Sequence, residues 1–312
     1  MSGVKEYVGA EVMLLSKVLK LESVAVPFGG RNPMWLAWWL KTLGKTVHTN
    51  DLLHFSYMDA VGMVENDGVL LDADTVAGLL EGLGGSSNRP LENPELAKLV
   101  PMEDAVFYDQ LRGRIERLTP RQRGMALRAG FNTIRYSQIM DSSRFVNIKM
   151  PLSRIFEREV LDLNKRVTSA GNGVAYRMDA TEFVASPKAQ ALYIQFPLST
   201  GISTEYAVGA RPRGPLGREI WARGPSKNWL PEMRSAVKGT FGDRFTSREG
   251  YLSAVTNFLE KAEGYPTWVL NVEESDYPDM LRAITRFRKP KAAHRIDTRE
   301  ASGGYMGYFV VA

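Results

Sequence analysis

The chain has 312 residues, 44% apolar and 24% charged, a balance that supports a buried core and excludes a disordered or collagen-like chain. It has no cysteine and only three histidines (His48, His54, His294), which excludes disulfides, thiolate nucleophiles and Cys-ligated metals and leaves little for a histidine metal site. Forty basic against thirty-five acidic residues give a net charge of +5, which permits a polyanionic partner without requiring one.

No run nears the roughly 20 apolar residues of a membrane span. The first residues, Met1-Ser-Gly-Val-Lys-Glu-Tyr7, carry no apolar signal core. The expectation is a cytoplasmic protein without a membrane partner. Ser23-Val-Ala-Val-Pro-Phe28 reads as a short buried strand and Gly29-Gly-Arg-Asn-Pro33 as a turn. Met34–Leu40 then reads as an apolar helix with Pro33 in its first turn, ended by Gly44. Thr46–Asn50 reads as a second strand with Asp51 at its end. This is the opening of a parallel α/β sheet.

From about Asp51 to Val167 the apolar spacing turns helical, over Leu52–Val64, Ala73–Leu83, Met102–Leu118 and Arg121–Ala129. Strands return at Val174–Met178, Ala191–Phe196, Thr267–Val272 and Tyr305–Val311, with helices at Leu252–Glu263 and Asp276–Arg288. Gly201–Phe245, rich in Gly, Pro and Arg, reads as a long loop. The domains expected are an α/β core of 1–53 and 168–312 and a helical insertion of 54–167. Two stretches are dominated by arginine. Arg112–Arg135 holds seven arginines and one acid, and Arg211–Arg248 holds nine basic residues and three acids. Arginine's planar fork suits phosphate, so both stretches are candidate phosphate contacts. Ligands of an open parallel sheet bind at the C-terminal ends of its strands. That rule points to Pro27–Asn32, Asn50–Asp51, Asp179 and Gln195–Ser199.

Several motifs here resemble the Dam-like class of adenine-specific DNA methyltransferases. They are Tyr7-Val-Gly-Ala10, Pro27-Phe-Gly-Gly30, Asn50-Asp51-Leu52 and, within the insertion, Gly130-Phe-Asn-Thr133 and Arg144-Phe-Val-Asn147. Their order, cofactor half first, then a target-recognition insertion, then a catalytic strand, also fits that class. The resemblance implies a methyltransferase-type Rossmann-like sheet and S-adenosylmethionine as cofactor. It implies cofactor contacts from Tyr7, Gly9, Pro27, Phe28, Gly29, Gly30, Asn50, Asp51 and Asp179, with Asp51 on the ribose and Asp179 on the adenine. It also implies double-stranded DNA as partner, contacted by Arg121, Arg123, Arg128, Arg135, Arg144, Arg211 and Arg213, and a prokaryotic or phage restriction-modification setting.

The departures are chemical. The class carries Asp/Asn-Pro-Pro-Tyr at the catalytic strand end, where this chain has Gln195, Phe196, Pro197 and Leu198. An adenine amine is a poor nucleophile until acceptors take its hydrogens. Gln195 retains an acceptor one methylene further out, and a misplacement near 1 Å costs roughly a hundredfold. Leu198 cannot stack on a flipped base. Where the class has a lysine after Tyr-Val-Gly-Ala, this chain has Glu11, which would repel the cofactor's carboxylate; Arg31, Lys5 or Lys17 are candidate substitutes.

Three functions remain open. One is a DNA-binding member of the class with impaired methyl transfer. Another is an active methyltransferase using Gln195, with Phe196 or Tyr206 as stacking ring. The third is a protein-interaction partner of a second methyltransferase or restriction subunit, docking through Trp35–Trp39 and the middle helices, although three tryptophans at helical spacing usually bury.

Overall fold

The chain, in a computed structural model that describes residues 9–83, 90–142, 150–197, 199, 215–224, 229–297 and 306–312, forms two compact units. One takes Met1–Leu52, Ser169–Gly201 and Val237–Ala312, the other Leu53–Thr168 and Ile202–Ala236.

The first unit is α/β, built on a seven-stranded mixed sheet. Its strands are β1 (Ser23–Val26), β2 (Thr46–Asn50), β3 (Gly173–Tyr176), β4 (Ala191–Ile194), β5 (Thr267–Glu273), β6 (Ala292–Asp297) and β7 (Met306–Val311). They lie in the order β3-β2-β1-β4-β5-β7-β6. From β3 to β5 every pair is parallel, while β7 runs antiparallel to both β5 and β6. All four residues of β4 are buried, as befits a short apolar run covered on both faces. The fold is compatible with a Rossmann-like sheet.

Among the described residues five helices flank these strands. Helix α1 is helical from residue 9 and ends in a π turn over Leu14–Val18. Helix α2 spans Arg31–Thr42, α8 Ala180–Val184, α11 Arg248–Lys261 and α12 Tyr277–Thr285. One core joins Phe183, Phe258, Tyr265 and Ile284 to Leu192, Ile194, Trp268 and Leu270 of β4 and β5. On α2 the fully buried positions are Leu36, Ala37 and Lys41, with Met34 and Leu40 close behind, whereas Trp35, Trp38 and Trp39 are half-buried.

The second unit is helical. It contains α3 (His54–Met63), α4 (Ala73–Leu80), α5 (Met102–Ile115), α6 (Pro120–Ser142), α7 (Leu152–Asn164), α9 (Pro215–Arg223) and most of α10 (Trp229–Val237). Two helices thus stand where the sequence predicts a loop. The Gly, Pro and Arg content hides them, because Pro215 opens α9 at a position where proline costs nothing, and Leu216, Ile220 and Trp221 supply its buried face. They join the helical unit, so the segment 202–236 belongs with the insertion and not with the α/β core to which the sequence analysis assigns it. Helix α6 also runs 23 residues, past the stop expected at Ala129. Gly130 is there because a Cβ would lie 2.2 Å from the Trp221 ring, not because the helix ends. Strand β6 was not legible: its sequence Ala-Ala-His-Arg-Ile-Asp has no regular apolar alternation, it pairs with β7 at the sheet edge, and edge strands commonly carry charge.

Candidate functional site at the strand ends

β1 lies between β2 and β4, so the strand order reverses beside it, the place where open α/β sheets bind ligands. The residues after β1, β2 and β4 form the edge there.

After β1 the chain turns at Gly29 and Gly30. A Cβ on Gly29 would lie 3.0 Å from Asp51 Cβ and 3.2 Å from Asn50 O, so glycine lets this turn lie against the end of β2 without pressing on it. Gly30 has φ +22° and precedes α2, and its N–H donates to Asp51 Oδ2 at 2.9 Å. Asn50 is buried and works as a staple. Its Nδ2 donates to Pro27 O and Met178 O, both at 3.1 Å, and its Oδ1 accepts from Met178 N at 3.1 Å. Pro27, Gly29, Gly30, Asn50 and Asp51 are therefore brought together, joining the ends of β1, β2 and β3.

Other candidates have structural duties. Asp179 caps α8, accepting from Thr181 N at 2.8 Å and Glu182 N at 3.3 Å. Gly9 lies on α1, where an added Cβ would meet nothing within 4 Å. The Phe28 ring stacks on Phe258 at 5.4 Å and meets Phe241 at 5.3 Å and Phe196 at 5.7 Å. Phe196 packs in the same aromatic group, 5.2 Å from Phe258 and 5.4 Å from Phe241. Both rings face the core cluster. Tyr7, Leu198, Lys5 and Tyr206 lie outside the described residues, as does the Arg31 side chain.

Gln195 directly follows β4. Its Oε1 is buried and has no hydrogen-bond partner among the described residues. Pro197 is held through its carbonyl, which accepts from Tyr251 Oη at 3.0 Å. Tyr251 carries little signal in the sequence beyond being an aromatic residue just inside a helix opened by Ser247. Glu11, expected to face a cofactor carboxylate, is 1% exposed instead. It accepts a hydrogen bond from Tyr193 Oη on β4 and one of 2.9 Å from Asn271 Nδ2 on β5. Lys17 is exposed.

Neither a family model, nor a curated protein, nor a solved structure matches this chain.

The arginines of the helical unit are less free than their sequence density suggests. Arg121 pairs with Asp67 at 2.5 Å and Arg128 pairs with Asp59. Arg123 donates to Glu116 O at 2.7 Å and Leu118 O at 3.2 Å. Arg112, buried, donates to Trp221 O and Ala222 O at the C-terminal end of α9. Arginine's five donors suit it to such carbonyl capping. Arg135 is exposed on α6. Arg144, Arg211 and Arg213 lie outside the described residues. Among the described residues no cluster of metal-ligating side chains occurs, and no helix is long and apolar enough to cross a membrane.

One ionic group stands beside the edge. Arg248 donates to Asp279 Oδ2 from Nε at 2.9 Å and from Nη2 at 2.7 Å, and reaches Asp276 at 2.8 Å. Hydrogen bonds from Arg248, then from Arg282, hold the Asp279 carboxyl below its ordinary 3.8. A depressed folded value contributes stability that is present above the unfolded value and lost as pH falls through the folded one. The stability gap between wild type and Asp279→Asn is therefore expected to be constant above about pH 5 and to close as the pH drops below about 3.8. Urea unfolding at several pH values checks this; a gap that widens on acidification contradicts the assignment.

Proposed function

We propose that the chain is a DNA-binding member of the Dam-like adenine-specific DNA methyltransferases in which methyl transfer is impaired. The observation that carries this reading is the Gly29–Gly30 turn hydrogen-bonded to Asp51 at the reversal of strand order. The sheet differs from the 3-2-1-4-5-6 order of dinucleotide-binding domains by the antiparallel β7 placed between β5 and β6.

S-adenosylmethionine would supply an electrophilic methyl group. The residues present fit it at the ribose end: Gly29, without a Cβ, lets the turn lie against the end of β2, and Asp51, whose Oδ2 accepts from Gly30 N, is a carboxylate suited to hydroxyl donors. The adenine contact implied for Asp179 is weaker support, since that side chain already caps α8. The turn after β4 supports impairment. Phe196 is packed into the core and so does not supply the stacking ring. A second reading, an active enzyme, is favoured by one feature, the buried Gln195 Oε1, which is an acceptor for a target amine.

Calorimetric titration tests the cofactor part. Binding of S-adenosylmethionine near micromolar, lost in Asp51→Ala, is expected; no binding up to about millimolar in folded protein, with or without DNA, sinks it. For the DNA part, log K for a duplex should fall with log salt by about 0.9 per phosphate contacted. Binding that is absent or salt-independent favours the interaction-partner reading. Gln195→Asp with Phe196→Pro and Leu198→Tyr should raise methyl transfer if the site has decayed, and leave it level or lower if the enzyme is already active.

A further inference from the structure

The turn after β4 is gripped by a segment of chain far away in sequence. Phe245 N donates to Ser199 O at 3.0 Å, and Tyr251 Oη donates to Pro197 O at 3.0 Å. The two gripping residues support each other, their rings meeting edge-on at 5.3 Å. The Tyr251 ring is itself fixed. It is 2% exposed, meets Phe241 at 6.4 Å, and lies under the Arg248 guanidinium at 5.6 Å. Arg248 in turn is tied to Asp276 and Asp279. Ser247 caps the helix from which Tyr251 projects, accepting from Gly250 N at 3.0 Å.

A buried phenol could find a partner anywhere in a core. This one takes the carbonyl two residues beyond the Gln195 acceptor. Its hydrogen bond is made to the backbone that sets where Gln195 points, and it contributes to no strand pairing.

We propose that the 245–251 segment is a clamp on the turn after β4, and that Tyr251 is a positioning residue holding the Gln195 carbonyl ready for an amine donor on the ligand. The amine-donor part rests on the function proposed above; the clamp does not. Tyr251→Phe keeps the ring and its packing while removing the single donor.

Amide hydrogen exchange reads the clamp without any assumption about function. The Phe245 N–H, held by Ser199 O, is expected to exchange about tenfold faster in Tyr251→Phe, roughly the worth of one hydrogen bond. The Trp268 N–H, held by Ala312 O in the sheet, should keep its rate. Equal rates at Phe245 in the two proteins overturn the proposal. So does an equal acceleration at both amides, which would report a general structural role. Ligand preference is read with adenosine against purine riboside, which lacks the amine. Wild type should favour adenosine about tenfold and the variant should lose that preference. Faster exchange at Phe245 alone, with no preference in wild type, would uphold the clamp and overturn the amine-donor reading of the site.

Discussion

Gly124→Val is expected to disrupt the helical unit, at a cost of about 3 kcal/mol. The reason is a backbone contact. A Cβ on Gly124 of α6 would lie 2.2 Å from Met58 O and 2.7 Å from Gly62 N, both on α3. The constraint is mutual, since a Cβ on Gly62 would lie 2.6 Å from Met125 N. No rotamer change relieves a clash with backbone, so α3 and α6 must move apart. That separation opens voids around Met58, Val61 and Met125, which are at most 5% exposed, and interiors this dense lose their contacts steeply with distance. It also pulls apart Asp59 and Arg128, a pair that bridges the same two helices with both side chains largely buried. A control separates crossing from propensity. Gly113 lies on α5, where a Cβ would meet nothing within 4 Å. Gly113→Ala should therefore stabilise by about 0.5–1 kcal/mol. Urea unfolding followed by circular dichroism measures both. A Gly124→Val protein as stable as wild type would mean that the two helices do not cross at this point.

The elements most readily read from the sequence are those whose local chemistry agrees with their packing. The run from Ser23 through Gly29 and Pro33 to Asn50 contains a buried strand, a glycine turn, a helix start and a second strand, and each signal is satisfied within a few residues. Helix α9 was hidden because much of what anchors it comes from distant partners. Glu219, fully buried, accepts from Phe55 N at 2.7 Å and from Arg223 at 2.6 Å, and Trp221 Nε1 donates to Leu127 O at 2.7 Å. Arg223 is local, one helical turn from Glu219, but Phe55 and Leu127 cannot be inferred from the composition of 201–245.

The arginine count has the same weakness. Seven arginines against one acid over Arg112–Arg135 describe a basic stretch in the linear chain, but Asp59 and Asp67 and the carbonyls of Glu116, Leu118, Trp221 and Ala222 absorb much of that donor capacity. At the candidate site, residue type located the edge and left the division of labour open. Asp51 and Asp179 look alike as strand-end acids. One meets the glycine turn and the other caps a five-residue helix, a difference decided by which backbone N–H comes within reach.

Glu11→Lys gives the chain the lysine that the resembled family carries after Tyr-Val-Gly-Ala. If position 11 faced the cofactor, this substitution would strengthen binding of S-adenosylmethionine by replacing a repulsion with an attraction. The structure leads to the opposite expectation. Glu11 is 1% exposed and packs against Tyr193 and Asn271, which are 1% and 5% exposed. Asn271 Nδ2 also reaches Tyr193 Oη at 3.1 Å, so the three side chains form one buried polar group shared by α1, β4 and β5. An ammonium placed there would meet two donors that now serve a carboxylate. Tyr193 can turn its hydroxyl to accept, but Asn271 would have to reverse its amide, and the new charge would lack the counter-charge that burial demands. Removing one partner from a buried charged group typically costs about 3–5 kcal/mol, and a similar loss is expected in the α/β unit. Glu11→Gln keeps the shape and one acceptor and should cost less, about 1–3 kcal/mol. Thermal unfolding and cofactor titration on both variants decide the matter. Glu11→Lys that remains as stable as wild type and binds S-adenosylmethionine more tightly would place residue 11 at the ligand instead of inside the sheet's packing. Loss of stability in the order Lys, Gln, wild type would mean that any partner for the cofactor's carboxylate must come from another residue.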